Sequence, residues 1–455
     1  MTTFVRCGSL FTGRENTALR NGTLVVGDDG LIAYAGPAAQ APAPRPHDKA
    51  VDYSGLFVMP GLIDVHTHLA YGNAKSEEDI DLYQPLEFRA LRALFFAQQV
   101  VAAGFTSICA PGDAGRISLS VRNAIQAGLF DGPRITAAGR YITARQSLTD
   151  WYPTWIGVPE TSIGRLVTNR DEAIEEIRCQ VKDGVDCIKI ALDGTHRRGN
   201  GEFVAAFTQD ETTAMVEEIR RLGKKSVVHA RGREATLYAA RAGVDLIFHA
   251  YYLDDECLDA LVKSGSAIGP TLTFPRNMIE FTGPHDPAHL KGRIGDVRRE
   301  FEVACTNLKR ARTAGVPMMI GTDSGFAVTP YGEWHARELE IFVQDLGFTP
   351  AEALRAATEV SARFMAQEGK IGSLAEGCYA DFIAIEGSPL DNIAILQDKR
   401  RIRHVHINGA EMRIPPRPYD SYKVTDLALF NWTDLYTQER VAELRARTAP
   451  SIAAQ

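Results

Sequence analysis

Short apolar runs alternate with longer stretches of helical spacing through the middle of the chain. Eight β-type runs begin near residues 57, 106, 134, 186, 226, 244, 266 and 316. Amphipathic helical spacing lies between several of them, over 85–103, 171–182, 210–222 and 234–241. Eight such units over roughly 300 residues predict a (β/α)8 TIM barrel. A doubly wound open sheet would fit the alternation too, but no glycine-rich phosphate loop follows any of the runs.

The two ends of the chain carry β-type patterns of their own. Residues 23–26 and 31–34 flank Asp28-Asp29-Gly30, which predicts a hairpin with positive φ at Gly30. After an amphipathic stretch over 350–367, β-type runs return at 379–385 and 402–407. Because the N-terminal segment is too short to form a core alone, we predict one small β-sandwich domain built from both chain ends.

These patterns divide the chain into three parts. Residues 1–56 and 370–415 form the discontinuous β domain, and residues 57–369 form the barrel. Residues 416–455 are a C-terminal extension with a helical stretch at 437–447. The sequence leaves open whether this extension docks on the barrel or on a second subunit.

Composition narrows the class of protein and of partner. Of the 455 residues, 45% are hydrophobic and 24% are charged, as in ordinary soluble globular proteins. A formal net charge of -7 with scattered basic residues offers no surface for nucleic acid or anionic lipid. Seven widely spaced cysteines without a Cys-x-x-Cys pair predict free thiols. With no signal peptide and no apolar run near the roughly 20 residues of a membrane span, the predicted location is the cytoplasm, without membrane contact.

Ionisable side chains occur where a barrel places its active site, at the C-terminal ends of the strands. The set comprises one lysine, one aspartate and four histidines, namely His66, His68, Lys189, His229, His249 and Asp323. His66 and His68 share one face of an extended strand, as two ligands of one metal would. Taken singly, a histidine can be a core residue and Asp323 a helix cap. Lys189 is harder to explain, because an unpaired ammonium group in an apolar strand is costly to bury.

In this order on successive strands, the six residues resemble the metal-ligand set of the amidohydrolase superfamily. The approach over 58–68 and the late segment over 372–389 are also similar to that family, and the similarity covers nearly all of residues 1–410. The stretches 228–234, 248–254 and 330–340 resemble the branch that contains imidazolonepropionase, prolidase-like and other carboxypeptidase-type enzymes, and hydrolases of synthetic carbamates and ureas.

The resemblance implies a binuclear centre of two zinc ions bridged by a carboxylated Lys189. His66, His68 and Asp323 would hold one metal, and His229 and His249 the other. Manganese, iron or cobalt would also suit these nitrogen and oxygen ligands. With an unmodified lysine, the site would hold a single metal on His66, His68, one later histidine and Asp323.

The implied reaction is hydrolysis of a C–N bond in an amide, carbamate, urea or N-acyl amino acid. A metal-bound hydroxide would attack the carbonyl carbon. Asp323 would take its proton and deliver it to the departing nitrogen. Tyr251 or Tyr252 would donate a hydrogen bond to the developing oxyanion, unless both tyrosines only pack at the rim.

Substrate residues are sought in the loops that follow the strands, since selectivity in this fold lies there. The candidates are Trp151, Trp155, His196, Arg197, Arg231 and His335. The aromatic loop, which could instead be a subunit contact, favours a hydrophobic amide or carbamate. The alternative is a dipeptidase or carboxypeptidase of the prolidase-like type, in which an arginine anchors the free carboxylate. A homo-oligomer is expected by analogy, and a non-catalytic barrel is disfavoured because all six ligand positions are filled.

Overall fold

The computed structural model describes residues 1–194, 196–283, 288–415, 417, 433 and 435–448. Its strands are β1 (Thr3–Leu10), β2 (Leu19–Val26), β3 (Ile32–Pro37), β4 (Lys49–Pro60), β5 (Leu62–Asp64), β6 (Phe105–Ala110), β7 (Arg134–Ala137), β8 (Tyr141–Thr143), β9 (Gly164–Leu166), β10 (Cys187–Ala191), β11 (Lys225–Ala230), β12 (Leu246–His249), β13 (Ala267–Gly269), β14 (Phe382–Ile385), β15 (Ile402–Ile407) and β16 (Ala410–Glu411). Its α-helices are α1 (Glu77–Asp81), α2 (Leu86–Ala102), α3 (Ile117–Gln126), α4 (Arg170–Asp183), α5 (Gln209–Arg221), α6 (Arg233–Ala242), α7 (Asp255–Ser264), α8 (Thr273–Phe281), α9 (Ala288–Thr313), α10 (Arg337–Gln344), α11 (Pro350–Arg355) and α12 (Gln438–Thr448).

Both ends of the chain share one seven-stranded sheet. Its order is β16-β15-β14-β4-β1-β2-β3, with β1 parallel to β4 and β14 antiparallel to it. The predicted hairpin is β2 and β3, and Gly30 in the turn has a φ of +77°. β4 runs on to Pro60, past the predicted domain boundary at residue 57. The β-rich part of the predicted fold is therefore present, while its domain boundaries stay a prediction.

The barrel strands are parallel and form two regular sheets. One has the order β5-β6-β7 and the other β13-β12-β11-β10-β8-β9. Between the sheets, the N–H of Asp186 donates to the carbonyl of Ala137 over 2.8 Å. The eighth predicted run forms no regular strand, but Met319 bonds to Ile268 of β13 and Val65 bonds to Ile320, over 2.9 and 2.8 Å. These bonds place residues 317–320 between β13 and the chain after β5, in agreement with the predicted fold class.

The predicted helices occur with boundary shifts, and one long helix was missed. α4 begins after the N-cap Asn169 and ends at Gly184, whose φ is +95°. The stretch predicted to be helical over 350–367 is an α-helix only to Arg355, where the π-helical turn Ala356–Val360 follows. α9 has 26 residues, and its many charged positions hide the apolar spacing. In the described parts of the chain, no helix combines the length and apolar character needed to cross a bilayer.

Two contacts tie the terminal segments to the barrel. Arg134 of β7 donates from Nε to Asp381 over 2.6 Å, and its guanidinium lies 3.9 Å from the centre of the Tyr379 ring. Near the C-terminus, the carbonyl of Tyr436 accepts a 2.6 Å hydrogen bond from the indole of Trp334. The described residues 435–448 therefore dock on the barrel of their own chain, and the other residues of the predicted extension, apart from 417 and 433, lie outside the described residues.

Candidate metal centre

His66, His68 and Asp323 bring three donor atoms together at the carboxyl end of the barrel. The Nε2 atoms of His66 and His68 are 3.0 Å apart, and Asp323 Oδ1 lies 3.4 and 3.1 Å from them. Ligand bonds of about 2.0–2.1 Å in tetrahedral geometry put neighbouring donor atoms about 3.4 Å apart. The three side chains therefore fit the coordination of one divalent cation, and they form a potential metal-binding group.

His229 and His249 form a second pair of converging nitrogens. Nδ1 of His229 and Nε2 of His249 are 3.0 Å apart, and both side chains are buried. The ring centre of His249 is 5.7 Å from that of His66, so the pair adjoins the first three ligands. Five of the six predicted metal ligands thus converge in two neighbouring groups.

Lys189 is the sixth predicted ligand, and its amine is isolated. The side chain is fully buried, and Nζ has no hydrogen-bond partner within the described structure. Nζ lies 4.0 Å from the centre of the Phe248 ring and 5.3 Å from that of Tyr141. Burial lowers the pKa of Lys189 to about 7, although Asp323 pulls that pKa upward. An amine that loses its proton this readily is suited to react with carbon dioxide, and the resulting carbamate would be an anion beside the metal ligands.

Burial also keeps three of these histidines in the neutral form that binds metals. Loss of hydration lowers the pKa of His66, His229 and His249 well below the usual value, and the neighbouring cationic groups lower it further. The neutral imidazole is the form that ligates a metal. His68 is oriented by a 2.8 Å hydrogen bond from its Nδ1 to the carbonyl of Gly112. Because a carbonyl can only accept, Nδ1 of His68 is the donor in this bond, and Nε2, which faces Asp323, is the nitrogen available to a metal.

Three fully buried carboxylates that the sequence analysis did not identify stand behind these ligands: Asp64, Asp193 and Glu338. Asp64 accepts the backbone N–H of His66 over 2.9 Å, that of Thr322 over 3.1 Å and Nδ1 of His335 over 2.7 Å. This bond network joins the first ligand strand to the segment that carries Asp323. Burial raises the pKa of Asp193 and of Glu338 to about 7, although hydrogen bonds from backbone N–H groups lower the pKa of both carboxyl groups. An acidic residue inside an apolar run was the only signal in the sequence.

The aromatic candidates do not gather around one pocket. The indole of Trp151 donates to Asp81 over 3.0 Å, whereas Trp155 is 85% exposed. Tyr251 is buried with its hydroxyl donating to the carbonyl of Thr271 over 3.2 Å, and its ring lies 5.4 Å from that of His249. Tyr252 is half-buried beside Phe203. Trp151 and Trp155 therefore lie in different surroundings, and their role in a substrate pocket or in a subunit contact stays a prediction.

The polar candidates divide into two groups. His335 is buried and hydrogen-bonded to Asp64, on the core side of the ligands. His196 is exposed. Arg197 and Arg231 each approach Glu300 of α9 to 3.9 Å. One carboxylate thus faces two guanidinium groups, at the end of the barrel where the ligands lie.

Comparison with known proteins identifies the family. The sequence profile of the amidohydrolase family matches residues 57–412. The chain belongs to this family. It is 26% identical to the ochratoxinase of Aspergillus niger over 434 residues, which are 91% of this chain and 87% of that protein. It also matches a solved Xaa-Pro dipeptidase with bound methionine, at 26% identity and a TM-score of 0.79 over 90% of this chain and 100% of that one.

A third relative shows the fold alone. The structure of molinate hydrolase has 21% identity and a TM-score of 0.74, over 92% of this chain and 99% of that one. Together these relatives confirm the predicted fold class, a TIM-type barrel with a β-rich domain. This amidohydrolase is a metal-dependent hydrolase of C–N bonds that acts on small molecules.

Proposed function

We propose that this amidohydrolase works with two divalent metals, most simply zinc, bridged by a carboxylated Lys189. The observation that carries the proposal is the Lys189 amine, which is fully buried and has no hydrogen-bond partner in the described structure. Burying an unpaired amine is unfavourable, and conversion to a carbamate beside two cations would remove that cost. His66, His68 and Asp323 would hold one metal, and His229 and His249 the other.

The protein's own groups would then divide the chemical work. When bound, the metals supply a lowered pKa for water and polarisation of the substrate carbonyl. Asp323 takes the proton of the attacking water at a carboxylate oxygen and gives it to the departing nitrogen. The buried rings of Phe248 and Tyr71 stack on His66 and His68, with centres 3.6 and 4.3 Å apart, and keep bulk water from the ligands.

Removal of the metals tests the proposed function. The metal-loaded protein is screened against amides, N-acyl amino acids, carbamates, phenylureas and dipeptides. Treatment with a chelator should abolish whatever hydrolysis the screen finds, and re-addition of Zn²⁺, Mn²⁺ or Co²⁺ should restore it. Metal analysis of the purified protein should find two ions per chain. A protein that keeps full activity without metal, or that hydrolyses no member of these classes when loaded, would contradict the proposal.

A dipeptidase of the prolidase-like type is the second candidate. Arg197 and Arg231, the latter two residues after His229, both approach Glu300 to 3.9 Å, and Nε of Arg231 has no hydrogen-bond partner in the described chain. A free substrate carboxylate would complete this arrangement through charge-assisted hydrogen bonds. The similarity to a Xaa-Pro dipeptidase supports the same class.

Arg231→Gln separates the two candidates. Hydrogen bonds to a charged group contribute about 1.5–3 kcal/mol, so KM for substrates with a free carboxylate should rise about 10- to 100-fold. The same substrates with an amidated carboxyl group should be unaffected. Arg198→Gln is the matched control, because Arg198 pairs with Glu234 at 3.3 Å. Equal changes on both substrate series would exclude Arg231 as the carboxylate anchor.

The identity of the metal, the cytoplasmic location and the homo-oligomeric state stay predictions from the sequence and its resemblance. Tyr251 and Tyr252 stay predictions as oxyanion donors. For Tyr251, its bond to the Thr271 carbonyl would have to break first.

A further inference from the structure

In the second ligand pair, His229 and His249, two ring nitrogens face each other so closely that their protonation must be matched. Nδ1 of His229 and Nε2 of His249 are 3.0 Å apart in a buried site. Such a contact is favourable if one nitrogen carries a proton, or if a cation lies between two lone pairs. Which case holds depends on the hydrogen-bond partners of the opposite ring nitrogens.

On the His229 side, the opposite nitrogen faces a carboxylate. Nε2 of His229 lies 3.4 Å from Asp193 Oδ1, which is long for a hydrogen bond but close enough for that acceptor oxygen to favour a proton on Nε2. Asp193 is also fixed in place, because it accepts the backbone N–H groups of Arg231 and Gly232 over 2.9 and 2.7 Å. This arrangement favours the neutral ring that has its proton on Nε2 and its lone pair on Nδ1.

On the His249 side, the opposite nitrogen faces a hydroxyl group. The Thr271 hydroxyl donates to the carbonyl of Pro270 over 2.6 Å, and its oxygen lies 2.5 Å from Nδ1 of His249. Because a hydroxyl has one proton and the carbonyl can only accept, Thr271 accepts from Nδ1–H of His249. Nε2 of His249 is therefore the lone-pair nitrogen.

Another buried carboxylate, that of Glu338, stabilises the turn that contains Thr271. Glu338 of α10 accepts the backbone N–H groups of Leu272 and Thr273 over 2.9 and 2.7 Å, and the hydroxyl of Thr273 over 2.6 Å. Thr271 itself has a φ of +56°, a backbone conformation that the surroundings must maintain. Glu338 thus supports the geometry in which Thr271 meets His249.

We propose that Asp193 and Thr271 are positioning residues that set opposite tautomers on His229 and His249, so that two lone pairs converge on the second metal position. This inference rests on the proposed two-metal centre. Removing the acceptor at Asp193 or at Thr271 allows the histidine beside it to take the other tautomer. His229 and His249 would then form a direct N–H to N hydrogen bond with each other. Groups of this kind change metal affinity by about 10- to 100-fold.

Metal titration of variants tests the inference. Wild type, Thr271→Val and Asp193→Asn are loaded with Co²⁺ or Zn²⁺ and equilibrated with graded chelator buffers. Both variants should bind the second ion about 10- to 100-fold more weakly and keep the first, and Thr271→Ser should restore the second. Thr212→Val and Asp81→Asn are matched controls, since both residues are fully buried and hydrogen-bonded without contacting a ligand histidine.

Two further readouts separate positioning from folding and from the proposed function. Melting temperatures of the metal-free Thr271→Val and Thr212→Val proteins should match. In wild-type protein labelled with ¹⁵N-histidine, metal-free spectra should show Nε2–H on His229 and Nδ1–H on His249, a measurement that needs no variant. Wild-type affinity in both variants, or the opposite tautomers, would overturn the inference and leave the hydrolase function standing. A wild type with fewer than two ions would overturn both the inference and the two-metal proposal.

Discussion

Lys189→Met should lower kcat/KM by about 10³-fold or more, the equivalent of several kcal/mol of transition-state stabilisation by the metals. The substitution keeps the volume of the side chain and removes the group that would become the bridging carbamate. The metal-free variant should melt at the same temperature as the metal-free wild type or higher, because methionine buries no unpaired amine. Loss of activity without loss of stability would identify Lys189 as a functional residue.

The control and the carboxylation test use the same assay. Lys225→Met replaces another lysine of a barrel strand, whose amine pairs with Glu368 over 2.7 Å, and should leave kcat/KM unchanged. Metal-free wild type that is reloaded in buffer without carbon dioxide should recover little activity until bicarbonate is added. Full recovery without carbon dioxide, or one metal per chain with little loss in Lys189→Met, would favour the single-metal alternative.

Asp323→Asn should lower kcat about 10²- to 10⁴-fold, the usual contribution of a positioned general acid–base group. Asparagine keeps the shape of the side chain that lies 3.1 Å from Nε2 of His68, but it cannot take up and return a proton. The loss should therefore grow with the basicity of the leaving nitrogen. Alkyl amides should lose far more activity than activated nitroanilides.

Comparison of leaving groups within one variant provides its own control. A ligand defect alone would slow all substrates by the same factor, because each needs the same metals. Steady-state kinetics on a series of anilides and alkyl amides, together with the metal content of the variant, distinguishes the two roles. Equal losses across the series would show that Asp323 acts as a ligand only.

Local sequence was sufficient to predict most barrel strands, to select the candidate ligands and to detect the resemblance to the family. His66, His68, Lys189, His229 and His249 lie in or directly after apolar runs, and the C-terminal ends of such runs meet at one face of a barrel. Strand and helix periodicity depends on neighbouring positions, which is why most barrel strands and four amphipathic helices were predicted close to their observed places. The same local reasoning missed α9, where charged residues are as numerous as hydrophobic ones.

Tertiary structure decided the contacts between segments that are distant in sequence. Glu300 of α9 lies 3.9 Å from Arg231, which directly follows β11, and Trp155, a candidate for a substrate pocket or a subunit contact, is 85% exposed. Loop conformation sets such positions, and no periodic pattern encodes it.

What the sequence by itself determined is the candidate set of metal ligands, because residue type and strand position suffice to place those side chains at one end of the barrel. Which groups face the ring nitrogens of each histidine, and which buried carboxylates lie close to the ligands, was decided only by tertiary structure. Asp193, which follows β10, lies 3.4 Å from His229 of β11. Glu338 of α10 accepts hydrogen bonds from the turn after β13. Such contacts depend on the distances and angles between secondary-structure elements, which cannot be read from the sequence.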